Sequence, residues 1–150
     1  MAKSLWDKVR EEAEEAIDRT RELRILASDI DGRVLRTARQ NAKLAGVEEY
    51  IAFQTLALKE ISSKKKYGCI ITNPPYGERS GELCEAEALY REMAEVCKNL
   101  DTWSFYVLTS HRGFERLFGR RTDRKRKLYN DRIQVDYYQF YGPRPPRWTI

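Results

Sequence analysis

The chain has 150 residues, 41% of them apolar and 34% charged, with a formal net charge of +5. That length sets a single domain, 1–150, as the expectation, and the basic balance suits an anionic partner such as nucleic acid. No apolar run is long enough to span a membrane and no secretory leader is visible, so a cytoplasmic protein is expected.

Residues 1–22 hold an N-terminal helix. Over 3–19, Leu5, Trp6, Val9, Ala13, Ala16 and Ile17 recur at helical spacing between Glu and Lys. Residues 24–29 read as a short buried strand. Asp31 is an N-cap for a second helix whose apolar face is Val34, Leu35, Ala38, Ala42 and Ala45, with Gly46 as its stop. A strand over 51–55, a polar loop over 59–66 and a buried strand over 68–72 follow. Then come a helix over 84–99, a strand over 103–109 and a short helical turn over 113–118. Segments 125–129 and 132–140 read as an antiparallel hairpin around Asn130-Asp131, and 141–150 as a loop tail. Strands alternating with helices, closed by a hairpin, predict an α/β layered sheet. Of the three cysteines, Cys69 lies in a strand and Cys97 on a helix face, and both read as small buried hydrophobes of a reducing compartment. With one histidine and no metal spacing among Cys69, Cys84 and Cys97, no metal site is expected.

The most informative stretch is Asn73-Pro74-Pro75-Tyr76, directly after Cys69-Ile70-Ile71-Thr72. It sets an amide, two rigid rings and an aromatic face at the carboxyl end of a strand, where open α/β sheets carry ligand chemistry. Asn73 offers a carbonyl acceptor. Pro74 restricts Asn73 to extended backbone, and neither proline has an N–H to compete for carbonyl oxygens. Tyr76 offers a face for stacking. Such a turn suits holding a planar, amine-bearing base. A second candidate is Ser28-Asp29-Ile30-Asp31 at the end of the first strand. Asp29 there is placed to accept a ribose diol, and Ile30 to pack on an adenine face.

Two segments, "ILASDIDGRVLRTARQNAKLAGV" from Ile25 and "IITNPPYGER" from Ile70, resemble the class I S-adenosylmethionine-dependent methyltransferases. Within these the chain is similar to the catalytic domain of the THUMP-linked RNA methyltransferases that modify the exocyclic amine of guanine N2 in ribosomal RNA. "DTWSFYVLTSH" and the terminal "RKRKLYN…YYQFYGPRPPR" extend the likeness over about residues 24 to 147. The resemblance implies a Rossmann-like sheet ending in an antiparallel hairpin, with S-adenosylmethionine as cofactor and RNA, ribosomal in the best-known members, as partner. It implies Asp29 at the cofactor ribose, and Asn73, Pro74 and Tyr76 around the target base. Pro75, Gly77, Glu78 and Arg79 would line the same mouth. In this reading Asn73 Oδ1 and the Pro74 carbonyl accept the amine hydrogens and stabilise the charge that develops on nitrogen, so the turn acts electrostatically. Arg120, Arg121, Arg124, Lys125, Arg126 and Lys127 are the candidate phosphate contacts, with Lys64, Lys65 and Lys66 a weaker set.

The family's first strand carries a glycine-rich turn around the methionine end of the cofactor, and none of the eight glycines here forms a Gly-x-Gly. The chain thus reads as the C-terminal portion of a methyltransferase with its first strand missing. Two other readings stand beside an RNA methyltransferase. One is a cofactor-less RNA-binding or assembly remnant. The other is the same chemistry on DNA adenine or a protein glutamine, which this motif also serves. Without a first strand, the strands over 24–29 and 68–72 have open edges. Direct pairing of the two, or a homodimer through the edges, is expected over an open gap.

Overall fold

A computed structural model describes residues 3–18, 20, 22–77 and 82–146. By its contacts the chain forms two compact units, Met1–Thr55 and Leu56–Ile150.

The first unit opens with α1 (Lys3–Glu15), four residues shorter than the periodic pattern reaches. Asp18 Oδ1 accepts from both the backbone N–H and the hydroxyl of Thr20, and this local turn competes with a further helical turn. Strand β1 (Ile25–Asp29) pairs in parallel with β2 (Ile51–Thr55), Asp29 lying opposite Thr55. Between them runs α2 (Gly32–Leu44), capped as expected: the Asp31 side chain accepts from the Arg33 N–H, and Gly46 adopts φ +69 just past the end. Leu35 and Ala42 are its buried residues. The expectation that residues 24–29 are buried is corrected. Leu26 is 79% exposed, because nothing among the described residues covers that side of the two-stranded sheet.

The second unit is built on β3 (Cys69–Thr72), β4 (Ser104–Thr109), β5 (Arg124–Asn130) and β6 (Ile133–Phe140), in the order β3-β4-β6-β5. β3 and β4 are parallel, while β6 is antiparallel to both β4 and β5, so the sheet ends in the expected hairpin. Its turn sits one residue later than the sequence suggests. Asn130 still pairs with Ile133, and the positive φ, +53, falls on Asp131. Helices α3 (Glu82–Asn99) and α4 (Phe114–Phe118) cover one face. There Ala86, Tyr90, Met93 and Val96 meet Phe105, Val107, Tyr138 and Phe140, and Phe114 and Phe118 fill the middle. Ring centroids lie 4.9 Å apart for Phe114–Tyr138, within the range of favourable aromatic pairs, and 4.4 Å apart for Phe118–Phe140, at its short edge.

The opposite face is open at β3. Ile71 is 72% exposed, and Cys69, expected to be buried, is exposed beside it because both point to the uncovered side. Cys97 is half-buried on α3. Among the described residues β1 is paired with β2 alone and β3 with β4 alone. No helix among the described residues is long and apolar enough to cross a membrane.

Candidate active site

The turn after β3 is held at its start by the pairing of Thr72 with Val107. Asn73 and Pro75 are exposed, Pro74 is buried, and Tyr76 and Gly77 are half-buried. The Tyr76 hydroxyl donates to Asn73 Oδ1 at 2.7 Å. The Tyr76 side chain and the Asn73 amide are therefore joined. A carbonyl oxygen has two lone pairs, so Oδ1 retains capacity for a second donor. Gly77 takes φ +72, and a Cβ there would sit 2.8 Å from Leu83 Cα and 3.2 Å from the Glu82 carbonyl oxygen. Both backbone conformation and space demand glycine where the chain turns into α3. Glu78 and Arg79 lie outside the described residues.

Beneath the turn is a polar chain that periodicity alone does not reveal. Tyr90 and Thr109 are each fully buried. Tyr90 Oη lies 2.8 Å from the Pro75 carbonyl oxygen and 2.9 Å from Thr109 Oγ1, which also accepts from the His111 N–H at 3.1 Å. The direction of every bond follows from proton count. Pro75 O can only accept, so the single Tyr90 proton goes to it. Thr109 must then donate to Tyr90 Oη while receiving from His111. Burial, opposed by the Thr109 hydrogen bond, raises the Tyr90 pKa above the ordinary phenol value, and it is burial that favours the neutral, donating form. The His111 ring is fixed in turn: Nδ1 accepts from the Gly113 N–H at 3.1 Å, and Nε2 lies 3.6 Å from Glu87 Oε1.

In the first unit, Asp29 is half-buried at the end of β1 and Ile30 is 76% exposed. Asp29 Oδ1 accepts from the Asp31 N–H at 2.8 Å, which orients the carboxylate, and its second oxygen has no partner among the described residues. Asp31 is committed elsewhere. It bonds the Arg33 side chain and N–H, which hold its pKa below the usual carboxylate range. A shallow cleft of about 180 Å³ borders the start of α2, lined by Gly32, Leu35, Arg36, Arg39, Phe53 and Thr55.

The basic residues divide by role. Arg120 bonds Asp123 Oδ2 at 2.8 Å and the Tyr141 carbonyl at 3.0 Å, over the Phe140 ring, tying the residue after β6 to the loop before β5. Arg121 is exposed. Arg124, Lys125, Arg126 and Lys127 are all exposed on β5, but they alternate between sheet faces. Lys125 is engaged with Asp136 at 3.5 Å and with the Tyr138 ring. Arg124 and Arg126 share the other face.

Residues 1–139 match the family described as RMKL-like, methyltransferase domain. The Bacillus subtilis (strain 168) protein named "Putative RNA methyltransferase YpsC" is 44% identical over 98% of this chain and 38% of its own length. The "Ribosomal RNA large subunit methyltransferase K/L" of Legionella pneumophila (strain Corby) is 32% identical over 90% of this chain and 19% of its own. The crystal structure of SMU.472 complexed with SAH superposes with a TM-score of 0.85 at 42% identity, covering 97% of this chain and 38% of that one. The chain thus spans under two fifths of the length of these relatives. An α/β sheet with a terminal hairpin, an Asn-Pro-Pro-Tyr turn after β3 and a family match over nearly the whole sequence place this chain among the RMKL-like methyltransferase domains.

Proposed function

We propose that this chain is the base-binding part of an S-adenosylmethionine-dependent N-methyltransferase acting on RNA, with an exocyclic base amine, guanine N2 of ribosomal RNA, as its target. The observation that carries this reading is the exposed Asn73 amide at the carboxyl end of β3, with its Oδ1 already bonded to an aromatic hydroxyl. The names of the ribosomal RNA methyltransferase relatives and the SAH bound to SMU.472 support the substrate and cofactor classes. An exocyclic amine is a weak nucleophile because its lone pair is delocalised into the ring. Asn73 Oδ1 and the Pro74 carbonyl accept its two hydrogens, draw the nitrogen toward tetrahedral geometry and stabilise the positive charge that grows on it. Tyr76 stacks on the extruded base, while Pro75, Gly77, Glu78 and Arg79 border it. Bound S-adenosylmethionine supplies an electrophilic methyl group. The uncommitted Asp29 oxygen fits its ribose and Ile30 its adenine face. Arg121 and the β5 cations meet RNA phosphates. We also infer that the open edges of β1 and β3 pair with a second copy when the chain is alone.

The test is methyl transfer from labelled S-adenosylmethionine to large-subunit ribosomal RNA, with DNA as the competing substrate, in an active protein that contains this chain. Nucleoside digestion and mass spectrometry are expected to show N2-methylguanosine. Asn73→Ala is expected to lower turnover on the order of a hundredfold or more. Near wild-type turnover in that variant, or methylation of DNA alone, overturns the proposal.

A further inference from the structure

We propose that the buried Tyr90 hydroxyl, fed by Thr109 and donating to the Pro75 carbonyl, is a positioning group that fixes where Asn73 presents its acceptor. This rests on the reading of Asn73 as the amine acceptor. The argument begins with what prolines remove. Pro74 and Pro75 have no N–H, so the backbone donors that fasten an ordinary turn are missing there, and carbonyl oxygens are the groups left to hold. Among these, the Pro75 carbonyl is the one bonded to a buried donor, Tyr90 Oη at 2.8 Å.

The prolines also make the segment stiff. Their rings lock φ at 74 and 75, and each proline restricts the residue before it, Asn73 and Pro74, to extended backbone. A displacement at the Pro75 carbonyl is therefore passed back to Asn73 instead of being absorbed between them. The other end is anchored by the β3–β4 ladder at Thr72 and Val107. Asn73 is clamped from both sides: by strand pairing before it and by the Tyr90 bond after it.

The clamp is itself packed in place. Tyr90 is fully buried and meets Phe114 edge-to-face at 5.0 Å and His111 at 5.5 Å, contacts that a swing of the phenol away from Pro75 would break. Thr109 closes β4, two residues beyond the partner of Thr72, and its hydroxyl is ordered by the His111 N–H. The three bonds run in one direction, His111 to Thr109 to Tyr90 to Pro75. Such chains polarise one another. The Tyr76 hydroxyl on Asn73 Oδ1 is the opposite kind of contact, half-exposed and displaceable by substrate.

Two measurements on Tyr90→Phe, Thr109→Val and Thr109→Ser test this. The first uses the 150-residue chain with carbon-13 proline carbonyls and nitrogen-15 asparagine. In Tyr90→Phe and Thr109→Val the Pro75 carbonyl and Asn73 side-chain amide resonances are expected to move while core methyl resonances stay. In Thr109→Ser, which keeps the hydroxyl, both are expected to return to wild-type positions. An unmoved Asn73 amide in Tyr90→Phe overturns the proposal even if no methyl transfer is ever detected. The second is steady-state kinetics in an active protein containing this chain. The kcat of Tyr90→Phe is expected to fall on the order of tenfold to a hundredfold, as for small misplacements of a reacting group, with the KM for S-adenosylmethionine unchanged. Unchanged kcat, or loss in Thr109→Ser equal to that in Thr109→Val, also overturns it. An inactive wild type would instead count against the methyltransferase reading and leave the first measurement to decide.

Discussion

Asn73 and Tyr76 share one hydrogen bond, and this changes what substitution at Tyr76 should do. If Tyr76 stacks on a substrate base as proposed, its ring and its hydroxyl have opposing effects there. Stacking on an aromatic ring contributes about 1–3 kcal/mol per base, so Tyr76→Ala should raise the KM for RNA by roughly tenfold or more. Tyr76→Phe keeps the ring and frees Asn73 Oδ1 from a competing donor. Its turnover should equal or exceed wild type, and a loss in Tyr76→Phe as large as in Tyr76→Ala would show that the hydroxyl, not the ring, matters. The neighbouring Gly77 gives a stability prediction with an internal control. Gly46 and Gly77 have nearly the same backbone, φ +69 and +72, but a Cβ at Gly46 meets nothing within 4 Å while one at Gly77 runs into Leu83 Cα at 2.8 Å. Gly46→Ala should cost only the left-handed penalty, roughly 1 kcal/mol. Gly77→Ala should cost clearly more, because helix backbone must shift as well. Equal losses in urea denaturation would refute the steric argument.

At the scale of elements, β5 separates two kinds of cation that look alike in a run of four. Lys125 is tied to Asp136 and Tyr138, whereas Arg124 and Arg126 face the other way with no such ties among the described residues. If β5 meets RNA phosphates, Arg124→Gln with Arg126→Gln should weaken binding more than the Lys125 and Lys127 pair. It should also flatten the slope of log K against log salt by about 0.7–0.9 per lost contact. Equal effects from the two pairs in a salt titration would place RNA elsewhere. What the sequence reveals and what it hides follow the same division between local and distant causes. The Asp31 cap and the Gly46 stop appear where expected and the turn of the β5–β6 hairpin one residue later, and all three are written in neighbouring residues. The burial of β1 and β3 is not: an apolar run says that a strand can be covered, not that anything covers it. Tyr90 is hidden for another reason. Its ring lies in the core, as an aromatic residue on the sheet-facing side of a helix does. Its hydroxyl partners lie 15 and 19 residues away and become visible only when β4, α3 and the turn are folded.

At the scale of the whole molecule, the sheet edges differ in how they resist association. β5, an outer edge, carries Arg124, Lys125, Arg126 and Lys127, the kind of charge that discourages edge-to-edge pairing. β1 and β3 are edges too, but they read Ile-Leu-Ala-Ser-Asp and Cys-Ile-Ile-Thr. Only the final Asp29 in either strand is charged. Leu26 and Ile71 add exposed apolar side chains beside those unpaired backbone groups. A strand edge with free N–H and C=O groups and an apolar flank is a template for another strand. The chain on its own should therefore self-associate through β1 or β3 and not through β5. Sedimentation equilibrium should show a mass above the monomer at roughly micromolar concentrations, the range typical of weak specific contacts. Ile71→Lys or Leu26→Lys should shift it toward monomer, because a lysine placed on an edge strand must be desolvated when a second strand packs there. Leu128→Lys on β5, at a residue about as exposed as Ile25, should leave the equilibrium unchanged. A folded wild-type chain that stays monomeric across the whole concentration range would show that backbone edges of this length and composition do not suffice to drive pairing.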